Sequence, residues 1–234
     1  MTPPDPAQAA VDTTPTLWLP DAAARADLAT FAGRARRVDA GGAVRLVAHG
    51  NVLAVTACAL HGASGPTVLA MRTLVLAAPS EVDATVPVGA LADRLARDEL
   101  ADAGTGRFAV PLPPGAAVTA AWAGLMPPRR GWEGTGSVSA ATLAAAAREG
   151  IAAVAAGTPP GAGAAAVTRL RAGVWGRPLA GLPGVPTGVA FAADAFGFLG
   201  DETAEATLHR AGRWVRLSTE RGHVLSRPPM GLLG

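Results

Sequence analysis

The side chains best suited to hold an anion lie in the second half of the chain. His209, Trp214, Arg216, His223 and Arg227 fall on strands predicted over 207–210, 213–218 and 223–227, joined by turns at Ala211-Gly212 and 219–222. Alternation puts Leu208, Val215, Leu217 and Val224 on one face, which must be the buried one. The opposite face then carries His209, Trp214, Arg216, Ser218, His223 and Arg227. Arginine supplies phosphate contacts, and an indole can stack on a base or support a guanidinium. Half-buried meanders commonly have a solvated polar face of this kind, with an aromatic tucked under a neighbour. Arg129 and Arg130 beside Trp132 form a second basic-aromatic group, in a Pro-rich loop. Such a loop can grip an anionic partner. It can equally be a stiff crossover whose Trp fills a gap between domains.

Other constellations point away from catalysis. Cys58 and His61 could form a thiol nucleophile and its base, but three residues at a strand end do not ensure hydrogen-bond reach, and no Asn or Asp lies near to orient the imidazole. His209 and His223 share a face without a third ligand, so no metal is expected. Gly161, Gly163 and Ala166 outline a dinucleotide fingerprint, yet no strand precedes them. P-loop, G-x-S-x-G and paired-carboxylate patterns are absent. The residues favour a binding protein with no cofactor over an enzyme.

The elements that must position these groups follow from hydrophobic spacing. Leu28, Phe31, Ala35 and Val38 mark a helix over 21–38 with Asp21 as N-cap. Val44–His49 and Val52–Leu60 flank Gly50-Asn51 and read as a hairpin whose core face holds Val44, Leu46, Ala48, Leu53, Val55 and Ala57. Strands follow over 68–76 and 83–88. A helix over 89–100, with Leu91, Leu95 and Leu100 inward, and a strand over 108–112 complete the half. A Pro/Gly-rich connector spans 113–137. Three helices come next: Ser139 to about Ala156, 164–175, and 187–199 with Thr187 as N-cap. With the closing strands, their order is that of a winged helix. The third helix offers only Thr187 and Asp194 to a DNA groove, which counts against sequence-specific reading.

Composition sets the outer limits. The chain has 234 residues, half of them apolar, and a net charge of only +2. All twenty basic residues are Arg, so the high isoelectric point overstates any affinity for polyanions. No apolar run suffices for a transmembrane helix. The start of the chain lacks the basic head and apolar stretch of a signal peptide. Cys58 is the only cysteine, which rules out an internal disulfide. The expected setting is cytoplasmic, with no membrane partner. The expected fold class is α+β. A tail over 1–15 is expected to be disordered, ahead of a mostly antiparallel sheet domain with two helices over 16–125. A helical domain closed by the meander would span 126–234.

The run Leu28–Arg45, the strand Met71–Leu74, the segments Trp122–Arg129 and Gly131-Trp132, and the closing Gly212–Leu217 resemble a family of uncharacterised actinobacterial proteins over roughly 17–227. That likeness implies no activity. In the first half alone, a helix, several strands and Asp83–Arg94 are similar to one repeat of a bacterial sliding clamp, with no second copy in 137–234. This implies an α+β sheet with helices on one face. Two partners remain open: nucleic acid, held by Arg129, Arg130 and the 207–227 face, or a protein, held by Trp122, Trp132 or an exposed sheet edge.

Overall fold

The computed structural model describes residues 15–62, 65–97, 105–113, 118–159 and 161–229. The tail expected over 1–15, except Pro15, and the inward placement of Leu100 lie outside them. Strand β1 (Thr16–Leu19) leads into helix α1 (Ala22–Val38). Asp21 caps that helix as its spacing predicts, accepting the Ala24 N–H at 2.8 Å. Leu28, Phe31, Ala32 and Ala35 form its buried stripe. Strands β2 (Ala43–Leu60) and β3 (Thr67–Pro87), helix α2 (Val88–Leu95) and strand β4 (Phe108–Pro111) follow, and β4 pairs antiparallel with β1.

The second half holds β5 (Glu133–Ser139), α3 (Ala140–Ala156), α4 (Ala164–Trp175), the short pair β6 (Pro178–Leu179) and β7 (Leu182–Pro186), α5 (Gly188–Ala195), β8 (Glu205–Ala211), β9 (Trp214–Thr219) and β10 (Gly222–Arg227). Six strands form one sheet in the order β2-β3-β10-β9-β8-β5. The halves join where β3 meets β10, from Thr67 opposite Arg227 to Met71 opposite His223. The protein is therefore α+β with a mostly antiparallel sheet, as expected. One hydrophobic core draws Leu28 and Phe31 from α1, Leu143 from α3, Val189 from α5 and Leu208, Val215, Leu217 and Val224 from the meander. Those four meander residues are the ones that alternation assigns to the buried face.

The expected hairpin at Gly50-Asn51 does not form. Residues on both sides of it belong to the single strand β2, and the strands predicted over 68–76 and 83–88 are likewise the single strand β3. The two pair with each other along their length, interrupted by a register shift between Gly50 and Val52. A bulge of this kind bends a ribbon and changes which residues face inward. Val44, Leu46 and Ala48 are accordingly buried before it, and Leu53, Val55 and Ala57 after it. Gly50 takes φ 56°, a conformation that glycine adopts at little cost. The Glu81 carboxylate accepts its N–H at 3.1 Å, and Asn51 Nδ2 donates to the Leu76 carbonyl at 3.0 Å. The glycine marks a corner, not a turn.

The winged-helix order is also corrected. In a winged helix the closing strands form a small wing beside three helices. Here β8, β9 and β10 lie inside the six-stranded sheet, between β5 and β3. Strand β5 occupies part of the predicted connector, and its sequence, Glu-Gly-Thr-Gly-Ser-Val-Ser, carries no alternating apolar pattern. Ser139 caps α3 as predicted, accepting from Thr142 N at 3.2 Å. Thr187 adjoins α5 without a side-chain cap and donates to the Val174 carbonyl at 2.9 Å instead.

Candidate functional site

Part of the second face of the sheet is covered. Residues 118–132 cross it as a strap, with a short 3-10 turn at Ala121–Gly124. Trp122 packs there against Leu69, Trp214 and Leu225, with Leu125, Met71 and Trp132 at the margins. Trp122 is 6% exposed and Trp214 is 7% exposed. Arg45 clips the strap down, donating to the Ala123 carbonyl while its other nitrogens hold Asp83 at 2.7 and 2.9 Å. That contact holds the Asp83 carboxyl below its usual range. Val118 N donates to the Thr85 carbonyl at 3.1 Å.

The strap changes what the predicted anion-binding residues can do. Trp214 lies beneath it, with the Arg227 guanidinium 5.7 Å from its ring centroid. Arg216 sits 4.6 Å from the Trp132 ring centroid. His209 stands opposite Arg216 across the β8–β9 pair, and His223 opposite Ser218, whose Oγ is 3.0 Å from His223 Nδ1. His209 Nδ1 and Arg216 Nε are buried and find no hydrogen-bond partner among the described residues. The structure thus brings His209, Arg216 and His223 together and keeps Trp214 from stacking on an incoming base. Arg129 and Arg130 are separate from this group, exposed on the strap. The Arg129 charge acts on Glu81 and Asp83.

Burial, followed by the charges of Arg216, Arg72 and His209, holds His223 below its ordinary value of 6.5. The unfolded chain therefore takes up this proton first as the pH falls. Stability should decline as pH drops through 6.5 toward the lower folded value. Thermal midpoints measured between about pH 7 and about pH 5 should show this decline, and His223→Gln should flatten it.

A cleft of about 440 Å³ lies where α1 ends, beside β2 and under α4. Its lining includes Cys58, Leu60, Trp122, Thr168, Arg171 and Trp175. Ala43 and Leu60, the two ends of β2, both reach it, so the bent strand brings its termini together. Strand β2 is also an edge of the six-stranded sheet. Trp175 is fixed by stacking on Phe191, centroids 4.7 Å apart. Its Nε1 has no partner among the described residues. Apolar floor and polar rim are present together: Leu60 and the indoles below, Asp39, His61 and Arg171 around them. Sequence reasoning missed this cleft because its residues come from segments far apart in the chain. Of its lining, Trp122 was singled out as a protein contact, and Cys58 and His61 only as a thiol and its base.

Cys58 and His61 both line the cleft without forming a catalytic pair. His61 Nδ1 is 3.1 Å from Thr67 Oγ1, and Cys58 Sγ donates to the Val68 carbonyl at 3.8 Å. Burial, above all, pushes the thiol up to about 12 from 9.0. A thiol raised that far has little thiolate at neutral pH, a loss only partly offset by higher nucleophilicity. Maleimide or disulfide reagents should react with folded Cys58 roughly 30-fold or more slowly than with the unfolded chain. Equal rates would contradict the buried placement.

Among the described residues no three His, Cys, Asp or Glu side chains gather as metal ligands, and no helix is long and apolar enough to cross a membrane. Gly163 adjoins the start of α4 with α3 before it, so the glycines at 161–163 lack the strand that a dinucleotide site requires.

No curated protein matches the chain. Residues 12–124 match a domain of unknown function, DUF8010, and residues 127–231 match a second, DUF8185. Among solved structures, a protein described as a DNA polymerase III beta subunit from Eubacterium rectale is similar with a TM-score of 0.51 at 10% identity, covering 94% of this chain and 66% of that one. The DNA polymerase sliding clamp from Caulobacter crescentus gives 0.49 at 14% identity, covering 93% and 66%. A sliding clamp from Pseudomonas aeruginosa bound to griselimycin gives 0.48 at 15% identity, covering 94% and 66%. The chain thus spans just under two thirds of the length of these proteins. The clamp likeness was expected in the first half alone; the Eubacterium rectale match carries it across nearly the whole chain, through the sheet that both halves build. Each half of the chain thus matches a domain of unknown function, and the fold is similar to that of a protein described as a DNA polymerase III beta subunit.

Proposed function

We propose that the protein is a non-enzymatic interaction module that receives an extended segment of a protein partner in the cleft between β2 and α4. The observation that carries this reading is the cleft itself, with Trp122 and Trp175 in its lining and an unpaired sheet edge beside it. Indoles provide large apolar contact, and edge strands offer main-chain groups to an incoming peptide. The strap over part of the second face supports the same choice, because Trp214 and Arg216 are already engaged within the chain.

Selection of displayed peptides against the folded protein tests it. Peptides with apolar anchors should bind with Kd on the order of 1–100 μM. Thr168→Trp, an exposed position on the cleft wall, should weaken them about tenfold or more by filling the space. Peptides that bind the filled variant equally well would overturn the reading.

Nucleic-acid binding is the second reading. In its favour, Arg129 and Arg130 are exposed and hydrogen-bond nothing among the described residues, and Arg216 and Arg227 have no carboxylate partner there. His209 and His223 lie on the same face, while Trp214 is buried beneath the strap and would contribute only once uncovered. Fluorescence anisotropy with duplex DNA at low and moderate salt discriminates. Binding with a steep salt slope, made shallower by roughly one unit for each of Arg129→Ala and Arg130→Ala, would favour it.

A further inference from the structure

A smaller cleft of about 280 Å³ lies between α1, the turn after α5 and the β9–β10 turn. Three of its lining side chains are arginines from separate elements: Arg34 on α1, Arg72 on β3 and Arg221 between β9 and β10. One carboxylate, Asp27, lines it with them. The formal balance is an excess of two positive charges over so small a space.

The guanidinium groups are differently held. Asp27 Oδ2 accepts from Arg72 Nη2 at 2.6 Å and from Nε at 2.9 Å, which orients that side chain. Arg34 Nη1 donates to the Phe196 carbonyl at 2.6 Å. Gly197 follows with φ 63°, and any Cβ there would overlap the Arg34 guanidinium. Glycine is therefore needed both for the backbone conformation and for the close approach of Arg34. The Arg221 guanidinium makes no hydrogen bond among the described residues, although its backbone N–H binds Thr219 Oγ1. Two arginines are thus set in place and a third is free to close. Thr30 adds a hydroxyl to the lining.

We propose that this cleft binds the phosphate group of a small molecule. Arginine donors arranged around a common space match the several acceptor oxygens of a phosphate, and donors already positioned lose less entropy on binding. The enclosed volume suits a group of that size and not a duplex. The site lies apart from the peptide cleft, with no lining residue in common.

Isothermal titration of the full chain with inorganic phosphate and with pyrophosphate, at constant ionic strength, tests the proposal. Saturable binding of pyrophosphate with Kd of about 1 mM or tighter is expected. Arg221→Ala should weaken it about tenfold. Because Arg221 is exposed and its side chain hydrogen-bonds nothing among the described residues, that variant should keep the unliganded thermal midpoint. Arg34→Lys, which retains the charge but loses the planar fork, should weaken binding as well. Absence of saturable binding of either anion would overturn the proposal. So would unchanged affinity in a folded Arg221→Ala protein, or binding of duplex DNA with none of either small anion.

Discussion

Trp175→Ala should lower the free energy of unfolding by about 3–5 kcal/mol, a large fraction of the total for a protein of this size. Trp175 is 2% exposed, at the last position of α4. Its ring stacks on Phe191 and lies against Gly150 of α3 so closely that any Cβ there would overlap it. Neighbours on α3 and α5 would therefore lose contacts together, and a helix pair set by a glycine cannot easily collapse into the space. Urea unfolding followed by circular dichroism measures the loss. Gly150→Ala supplies the converse, because the added methyl has nowhere to go; about 1–3 kcal/mol is expected. A loss below about 1 kcal/mol for Trp175→Ala would mean that α3, α4 and α5 do not pack as described. The same substitution removes part of the cleft wall, so peptide affinity should fall with stability.

Trp122→Ala should cost about 3 kcal/mol or more, with local consequences that differ from those of Trp175. Trp122 is the main apolar weight of the strap over Leu69, Trp214 and Leu225. Removing it leaves the strap held by the Arg45–Ala123 contact, the Val118–Thr85 hydrogen bond and Trp132, whose Nε1 donates to the Pro128 carbonyl at 2.9 Å. The expected result is faster hydrogen exchange in 118–132 and a lower thermal midpoint, while α1 and α5 stay protected. Freed of its cover, the face with Arg216 and Arg227 should also gain salt-dependent affinity for DNA over the wild-type protein. A variant with unchanged exchange in the strap would contradict the covering role of Trp122.

Local signals were legible in the sequence where one element sufficed to produce them. The Asp21 and Ser139 caps, the Leu28–Phe31–Ala35 stripe and the buried face of the meander all depend on spacing within a few residues, and each took its expected place. Gly50-Asn51 misled because the same pair suits a turn and a bulge; only the pairing of β2 with β3 decides between them. Strand β5 gave no signal because its one buried residue, Val138, cannot make a pattern. The likeness to a clamp was confined to one half because the shared sheet depends on β3 meeting β10, a pairing across more than half of the chain. For the candidate site, the alternation put His209, Arg216 and His223 on one face, and the strand pairings do the same. It could not show that a segment about 90 residues earlier lies across Trp214. Both clefts are assembled from distant elements, and no spacing announces them.

Alkylation of Cys58, with and without a saturating cleft-selected peptide, bears most directly on where a partner binds. The thiol lines the cleft, and its modification can be followed by mass spectrometry at a pH high enough for measurable reaction. A peptide seated between β2 and α4 should slow the reaction roughly tenfold when present at about ten times its Kd. An unchanged rate on peptide-saturated protein would put the partner elsewhere and contradict the cleft as the binding site.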